Sequence, residues 1–268
     1  MSMRPVNFFS AWFCPYAQRA WLTLEHYQIP YNFIEALTVH QKQHDDDPGF
    51  SKSPRLLEIN HKGQVPTLEL TPEIIKDLGI TIENIEKDPR VRVTDDSKSF
   101  VVVESIVCMD FLHSIASEVK NGNGNSLVPD IIPDNALLAD VNKFDQEVCS
   151  TFYQILLKRT RDEQKDAYTL FSKGIAEFIT YVQNDGYYKS MHPTIVDFAI
   201  IPWILRIPVL QNYRPTFGGM ENFIGKEKNE KLENYIERIK GLDTVEKTLW
   251  SDEDAMNNIY KRYADGTT

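Results

Sequence analysis

The sequence predicts two domains of different class, an α/β unit followed by an all-α unit. Three observations carry this. Up to about residue 118, short runs rich in β-branched and aromatic residues alternate with apolar residues at helical spacing. A stretch of Asn, Gly and Pro, "KNGNGNSLVPDIIPDN" (120–135), then reads as a linker. Beyond it, every long apolar pattern has a helical period. The expected boundaries are 1–118 for the first domain, 119–134 for the linker and 135–268 for the second.

The elements follow in order. "RPVNFF" (4–9) is strand-like, and Ala17, Ala20, Trp21 and Leu24 mark a helix from Pro15 to about His26. "YNFIEAL" (31–37) is a second strand and "RLLEIN" (55–60) a short helix ending before Gly63. "VPTLEL" (65–70) and "SFVVVE" (99–104) are strands, and "SIVCMDFLHSI" (105–115) returns to helical spacing. This order has room for one parallel pair and one hairpin. Residues 71–89 interrupt strands that ought to pair and read as an insertion, because "RVRVTDDSKSFVVV" (90–103) already makes a complete hairpin around Asp95, Asp96 and Ser97. "TPEIIKDLG" within the insertion has a Thr cap, Pro at the first helical position and a closing Gly. The insertion is expected to be a surface excursion, with an interface or lid element as the alternative. In the second domain, helices are expected over 135–158, 164–185, 194–207, 227–240 and 251–264, with Gly186 and Gly241 as stops.

Composition narrows the function classes. The 268 residues are 42% hydrophobic and 25% charged, with 39 acidic against 29 basic side chains and a formal charge of −10. An acidic surface repels phosphate backbones and anionic lipids, so neither nucleic acid nor a membrane is an expected partner. No apolar run is expected to approach the ~18 residues of a spanning helix, and the N-terminus lacks the pattern of a signal peptide. Three widely spaced cysteines, Cys14, Cys108 and Cys149, make no disulfide framework and fit a reducing, cytoplasmic compartment. "HQKQHDDD" (40–47) lacks the Glu of His-Glu-x-x-His and reads as a solvated loop, so no metal is expected.

The chemistry concentrates at Cys14. It follows a strand and a short loop and opens a helix, with Pro15 at the first helical position. A thiol there faces unpaired N–H groups and the positive end of the helix dipole, both of which favour thiolate. Helix N-termini bring a cysteine pKa from about 8.5 to roughly 3.5–7.5. Cys108 and Cys149 read instead as small core hydrophobes. The motif is Cys-Pro-Tyr-Ala, and Ala17 stands where a dithiol oxidoreductase would hold its resolving cysteine. A mixed disulfide on Cys14 would have to be cleared by an external thiol. Pro66 opens a strand, which suits an edge or a cis turn that leaves the Val65 backbone free to pair with a peptide ligand. Glu104 and Ser105 lie at a strand end and a helix start, where Ser105 can cap the helix and the helix N-terminus can bind a carboxylate.

"FCPYAQRAWLTL", "NHKGQVPTLEL", "VVVESIVCMDFL" and "TIVDFAIIPW" together resemble the cytosolic glutathione transferase superfamily, and most closely its omega class and omega-like relatives, which use cysteine. The resemblance covers nearly the whole chain except the insertion. It implies a thioredoxin-like first domain and a helical-bundle second domain that walls an open acceptor pocket. Cys14 would be the catalytic cysteine that forms a mixed disulfide with glutathione, with Phe13 preceding it as in omega enzymes. Val65 would pair with the cysteinyl unit, Pro66 would be the cis-proline, and Glu104 and Ser105 would hold the γ-glutamyl end. Lys52, with Ser53 aligning equally well, would stand near the glycine end. Thr194 and Asp197 match a helix capping box. Tyr16 and Trp203 would line the acceptor pocket; Trp203 matches an aromatic residue there, with a core tryptophan as the alternative. The family often has Asn-Pro before the cis-proline loop; here His61 follows Asn60.

The function so implied is glutathione-dependent thiol transfer or reduction: deglutathionylation, dehydroascorbate reduction and reductive removal of glutathione from small conjugates. The cosubstrate is glutathione, the acceptor a small molecule or protein thiol, and the assembly a homodimer by family habit. Two alternatives stand beside it. One is a conjugating transferase, for which Tyr16 and Ser10 are the nearby hydroxyls. The other is a non-enzymatic binder, since the chloride intracellular channel proteins share a Cys-Pro-Phe motif and a similar fold.

Overall fold

A computed structural model of the chain describes residues 4–40, 49–94, 99–123, 131 and 136–264. The chain divides into two compact units, Met1–Pro129 and Asp130–Thr268. The solvated-loop reading of 40–47 (His40 apart), the hairpin tip at Asp95–Ser97 and most of the expected linker fall outside the described residues.

The first unit begins with β1 (Val6–Ser10), α1 (Pro15–Tyr27) and β2 (Tyr31–Glu35), and β1 and β2 pair in parallel from Val6 opposite Tyr31 to Ser10 opposite Glu35. Parallel strands need a crossover, and α1 supplies it. The helix ends where Gln28 turns left-handed at φ 54° and its N–H returns to Glu25 and Leu24. Two short strands follow that sequence reading did not find, β3 (Leu37–Val39) and β4 (Phe50–Lys52), paired antiparallel in a sheet of their own. Then come α2 (Pro54–Ile59) and β5 (Thr67–Leu70).

The insertion forms α3 (Pro72–Asp77) and α4 (Ile82–Lys87), each N-capped by a threonine side chain, Thr71 and Thr81. It leads into β6 (Val91–Val93), which pairs antiparallel with β7 (Phe100–Val103). α5 (Ser105–Asn123) closes the unit, running five residues past the expected boundary at 118. The main sheet has the order β2-β1-β5-β7-β6. Side chains alternate across it. Phe8, Leu68 and Val102 join Leu24 of α1 and Phe111 of α5 in one core, while Phe9 and Val101 join Leu56 and Ile59 of α2 in the other.

The expectation of a surface excursion at 71–89 is corrected here. Ile74, Ile75, Leu78, Ile80 and Ile85 are buried in the larger of these cores. The insertion is part of the α/β unit's hydrophobic interior, because its apolar residues outnumber what a solvated loop can carry.

The second unit is helical. α6 (Ala136–Phe144) passes through a π-helical turn at Asp145–Cys149 into α7 (Ser150–Leu157), so the long helix expected over 135–158 is present with a bulge in it. α8 (Arg161–Tyr181) is closed at its start by a Thr160–Glu163 capping box. Gly186 lies beyond its end, in a turn where an added Cβ would sit 2.5 Å from the Ser190 carbonyl, so it does not serve as the helix stop. α9 (Ile195–Ile204) is buried along its whole length and carries a Thr194–Asp197 capping box. Asp197 also accepts the Tyr188 N–H at 3.0 Å and the Tyr235 hydroxyl at 2.8 Å. α10 (Ile207–Tyr213), α11 (Glu221–Ile224), α12 (Lys226–Lys240), α13 (Asp243–Glu246) and α14 (Glu253–Ala264) complete the unit.

One exclusion drawn from the sequence needs amendment. Ile195–Tyr213 is 19 residues long with a mean hydropathy of 1.3, enough by length and composition to cross a membrane. This stretch, α9 and α10 together, is 83% buried within the protein, as core helices of a bundle are.

Candidate functional site

Cys14 occupies the N-cap of α1 with an extended backbone (φ −81°, ψ 116°), and Pro15 holds the first helical position. Its own N–H donates to the Ala11 carbonyl at 2.9 Å, and its carbonyl accepts the first helical bond from Gln18 at 3.0 Å. The thiol is therefore fixed over the start of the helix, partly exposed, with no acidic side chain in the first turn to oppose an anion there. The loop beneath it is braced. The Glu35 carboxylate accepts the Trp12 N–H at 3.4 Å, and burial raises the pKa of that carboxyl while the Trp12 and Leu37 N–H groups pull it back. Phe13 is buried and stacks on Phe50 of β4, 5.5 Å between centroids. It acts as an anchor of the loop.

Cys14 opens on a cavity of about 890 Å³. Tyr16, Lys52, Val65, Pro66, Glu104 and Ser105 line it too, so the first unit brings these sequence-predicted residues to one concavity. Phe13 lies behind this wall.

Each has a local reason for its place. The Val65–Pro66 peptide is cis. Asn60 holds the loop before it, donating from Nδ2 to the Gln64 carbonyl at 3.1 Å and the Thr67 hydroxyl at 3.0 Å. Among the described residues the Val65 N–H and carbonyl have no hydrogen-bond partner in the protein, which leaves them for a ligand. Lys52 reaches across Gly63 and donates to the Lys62 carbonyl at 2.8 Å. Gly63 permits this with φ +58°, since a Cβ there would lie 2.5 Å from the Lys52 Cδ.

Glu104 is exposed with φ +71°, a left-handed backbone that a non-glycine residue adopts at a cost of roughly 1–3 kcal/mol. Its carbonyl accepts the Cys108 N–H at 2.8 Å, so the strain turns the chain from β7 directly into α5. Ser105 follows, 8% exposed, and its hydroxyl accepts from Arg19 Nη1 at 3.0 Å. Arg19 is itself 1% exposed and lies 5.3 Å from the Tyr16 ring centroid. A buried guanidinium behind a serine at a helix start reinforces an anion site. Sequence reading missed Arg19, whose partner is 86 residues away.

The remaining candidates fall elsewhere. Cys108 is fully buried, and burial raises its thiol pKa far above the ordinary range. Cys149 is equally buried, its Sγ 4.0 Å from the Ala199 carbonyl. Of the two hydroxyls considered for conjugation, Ser10 is fully buried and Tyr16 lines the cavity. Trp203 is fully buried in α9, the core position weighed against a pocket role in the sequence.

Residues 13–115 match the family model for the glutathione S-transferase N-terminal domain. Solved structures share the fold over the full chain. Glutathione transferase Omega 3C from Trametes versicolor superposes with a TM-score of 0.66 at 21% identity, covering 99% of this chain and 93% of its own. The Tau class enzyme MiGSTU from mango, Mangifera indica, gives 0.65 at 17% identity, covering 98% and 100%. Rice GST1, solved in complex with glutathione, gives 0.63 at 14% identity, covering 98% and 99%. No curated protein sequence matches the chain.

Proposed function

From a chain that carries the glutathione transferase fold, with a glutathione S-transferase N-terminal domain over residues 13–115, we propose a glutathione-dependent thiol transferase that works through Cys14. One observation carries this reading. A single partly exposed thiol at a helix start lines the same cavity as the cis-proline loop and the Glu104–Ser105 turn, and the other two cysteines are buried.

Glutathione is the cosubstrate. Its cysteinyl backbone pairs with Val65, whose polar groups have no protein partner among the described residues. Its γ-glutamyl carboxylate meets Ser105 and the start of α5, its ammonium meets Glu104, and its glycyl carboxylate meets Lys52. The Cys14 thiolate attacks the glutathione sulfur of a mixed disulfide R–S–SG. The Cys14–SG bond forms, the S–S bond of the mixed disulfide breaks, and R–S⁻ leaves and takes a proton from water. The thiolate of a second glutathione then attacks the Cys14 adduct, releasing oxidised glutathione and restoring the Cys14 thiolate. In sum, R–S–SG and glutathione become R–SH and oxidised glutathione. The external thiol is required because Ala17 fills the place of a resolving cysteine and is itself buried. Dehydroascorbate and small glutathione conjugates are further acceptors: dehydroascorbate and two glutathione thiols give ascorbate and oxidised glutathione, whereas a conjugate R–SG and one free glutathione thiol give R–H and oxidised glutathione. The protein works as a homodimer, which sedimentation at assay concentrations would test.

The test compares wild type with Cys14→Ser in two assays, glutathione-dependent reduction of a glutathionylated mixed disulfide and conjugation of a model electrophile. Loss of reduction in Cys14→Ser is expected. Reduction that survives the substitution overturns the mechanism. Conjugation by wild type through Tyr16, with no reduction, would favour the conjugating alternative, and neither activity would favour a binding protein.

A further inference from the structure

Strand β6, which follows the insertion, adds a fourth position to the row of chain segments that form the cavity. Cys14 follows the end of β1, Val65 and Pro66 precede β5, Glu104 and Ser105 follow β7, and Pro89 and Arg90 precede β6. The antiparallel registers bring all four to the same end of the sheet, in the spatial order β1-β5-β7-β6. Strands lie ~4.8 Å apart, so the row from β1 to β6 spans roughly 14 Å. In the proposed function, on which this inference rests, glutathione lies along that row: thiol at β1, cysteinyl backbone at β5, γ-glutamyl end at β7. The next group it meets is β6.

β6 presents Arg92 there. Arg92 stands opposite Val101, whose side chain belongs to the core on the α2 face of the sheet. Val91 packs on the other core, so the alternation of the strand sends Arg92 to the α2 face, and it lines the cavity. Arg92 is exposed, and its side chain makes no hydrogen bond or ion pair with any described residue. Arg90, two residues earlier, is already engaged, donating to Asp88 at 2.6 Å, Asp110 at 2.6 Å and Ser114 at 2.8 Å. With Arg90 neutralised, the cavity keeps Lys52, Lys62 and Arg92 against the single carboxylate of Glu104. On a chain of formal charge −10, that is a local concentration of positive charge.

We propose that Arg92 binds the α-carboxylate of the γ-glutamyl residue of glutathione, so that β6, the strand to which the insertion leads, is a working part of the glutathione site. The γ-glutamyl carboxylate lies at the β6 end of the row, and an uncommitted guanidinium is the group that recognises a carboxylate with paired donors.

Calorimetry on the full chain under reducing conditions tests this with two ligands. One is glutathione; the other is 4-aminobutyryl-cysteinylglycine, which lacks only the α-carboxylate. Arg92→Gln is expected to weaken glutathione binding by about tenfold, in the range of a hydrogen bond to a charged group. It should leave the affinity for the decarboxylated peptide unchanged, and Arg92→Lys should recover part of the loss. If Arg92→Gln binds glutathione within twofold of wild type, or weakens both ligands equally, the assignment to Arg92 is wrong while the glutathione site stands. If wild type binds no glutathione, both readings fail together.

Discussion

The chemistry proposed for Cys14 rests on neighbours that each do one thing. Pro15 starts the helix without needing a hydrogen bond, Ala17 withholds a resolving thiol, and Ala11 fixes the loop through the Cys14 N–H. Those features are local, and the sequence displays them. Arg19 behind Ser105 acts across the fold, with no pattern in the chain to announce it. Asn60 stood in the sequence only as the residue before the departure at His61, and its hydrogen bonds to Gln64 and Thr67 give it a purpose. Gly63 tests the packing at this scale. Gly63→Ala forces a side chain into a left-handed backbone and against Lys52. A loss of about 1–2 kcal/mol in denaturant unfolding is expected, with glutathione affinity falling as Lys52 is displaced.

At the scale of elements, the insertion is the feature that sequence reading placed but misjudged. Its ends were legible from a Thr cap, a proline and the hairpin after it. Its burial was not, because six-residue helices are too short to display a 3.6-residue period. The same brevity hid the three-residue strands β3 and β4. If α3 packs into the core, Ile75→Ala costs about 2–5 kcal/mol by chemical denaturation; a surface excursion would lose no more than about 0.5 kcal/mol. The Asp88–Arg90 pair fastens the start of β6 to α5, and the Arg90 hydrogen bonds hold the Asp88 carboxyl below its usual pKa. A depressed folded-state pKa stabilises the fold fully above the unfolded value of about 3.9, and that stability is lost as pH falls through the folded value. Melting curves of wild type and Asp88→Asn should therefore differ at pH 6 and converge under more acid conditions. A difference that persists in acid would remove the pair from this role.

Across the whole molecule, the order of domains, their classes and the burial of α9 were readable because they rest on long periodic segments. What the chain conceals is how distant segments share one concavity, since four strand ends meet there from across ~90 residues of sequence. The formal charge of −10 repels anions in general, so in the proposed function attraction of glutathione would depend on the local cations. Glutathione affinity should weaken as salt is raised from 50 to 500 mM; an affinity independent of salt would argue against ionic recognition.

The three cysteines offer the most direct test, because only Cys14 reaches solvent. Incubation with oxidised glutathione followed by peptide mass mapping should find one glutathione adduct, on Cys14, removed by added glutathione, with Cys108 and Cys149 unmodified. An unmodified Cys14, or an adduct that added glutathione does not clear, would contradict the account.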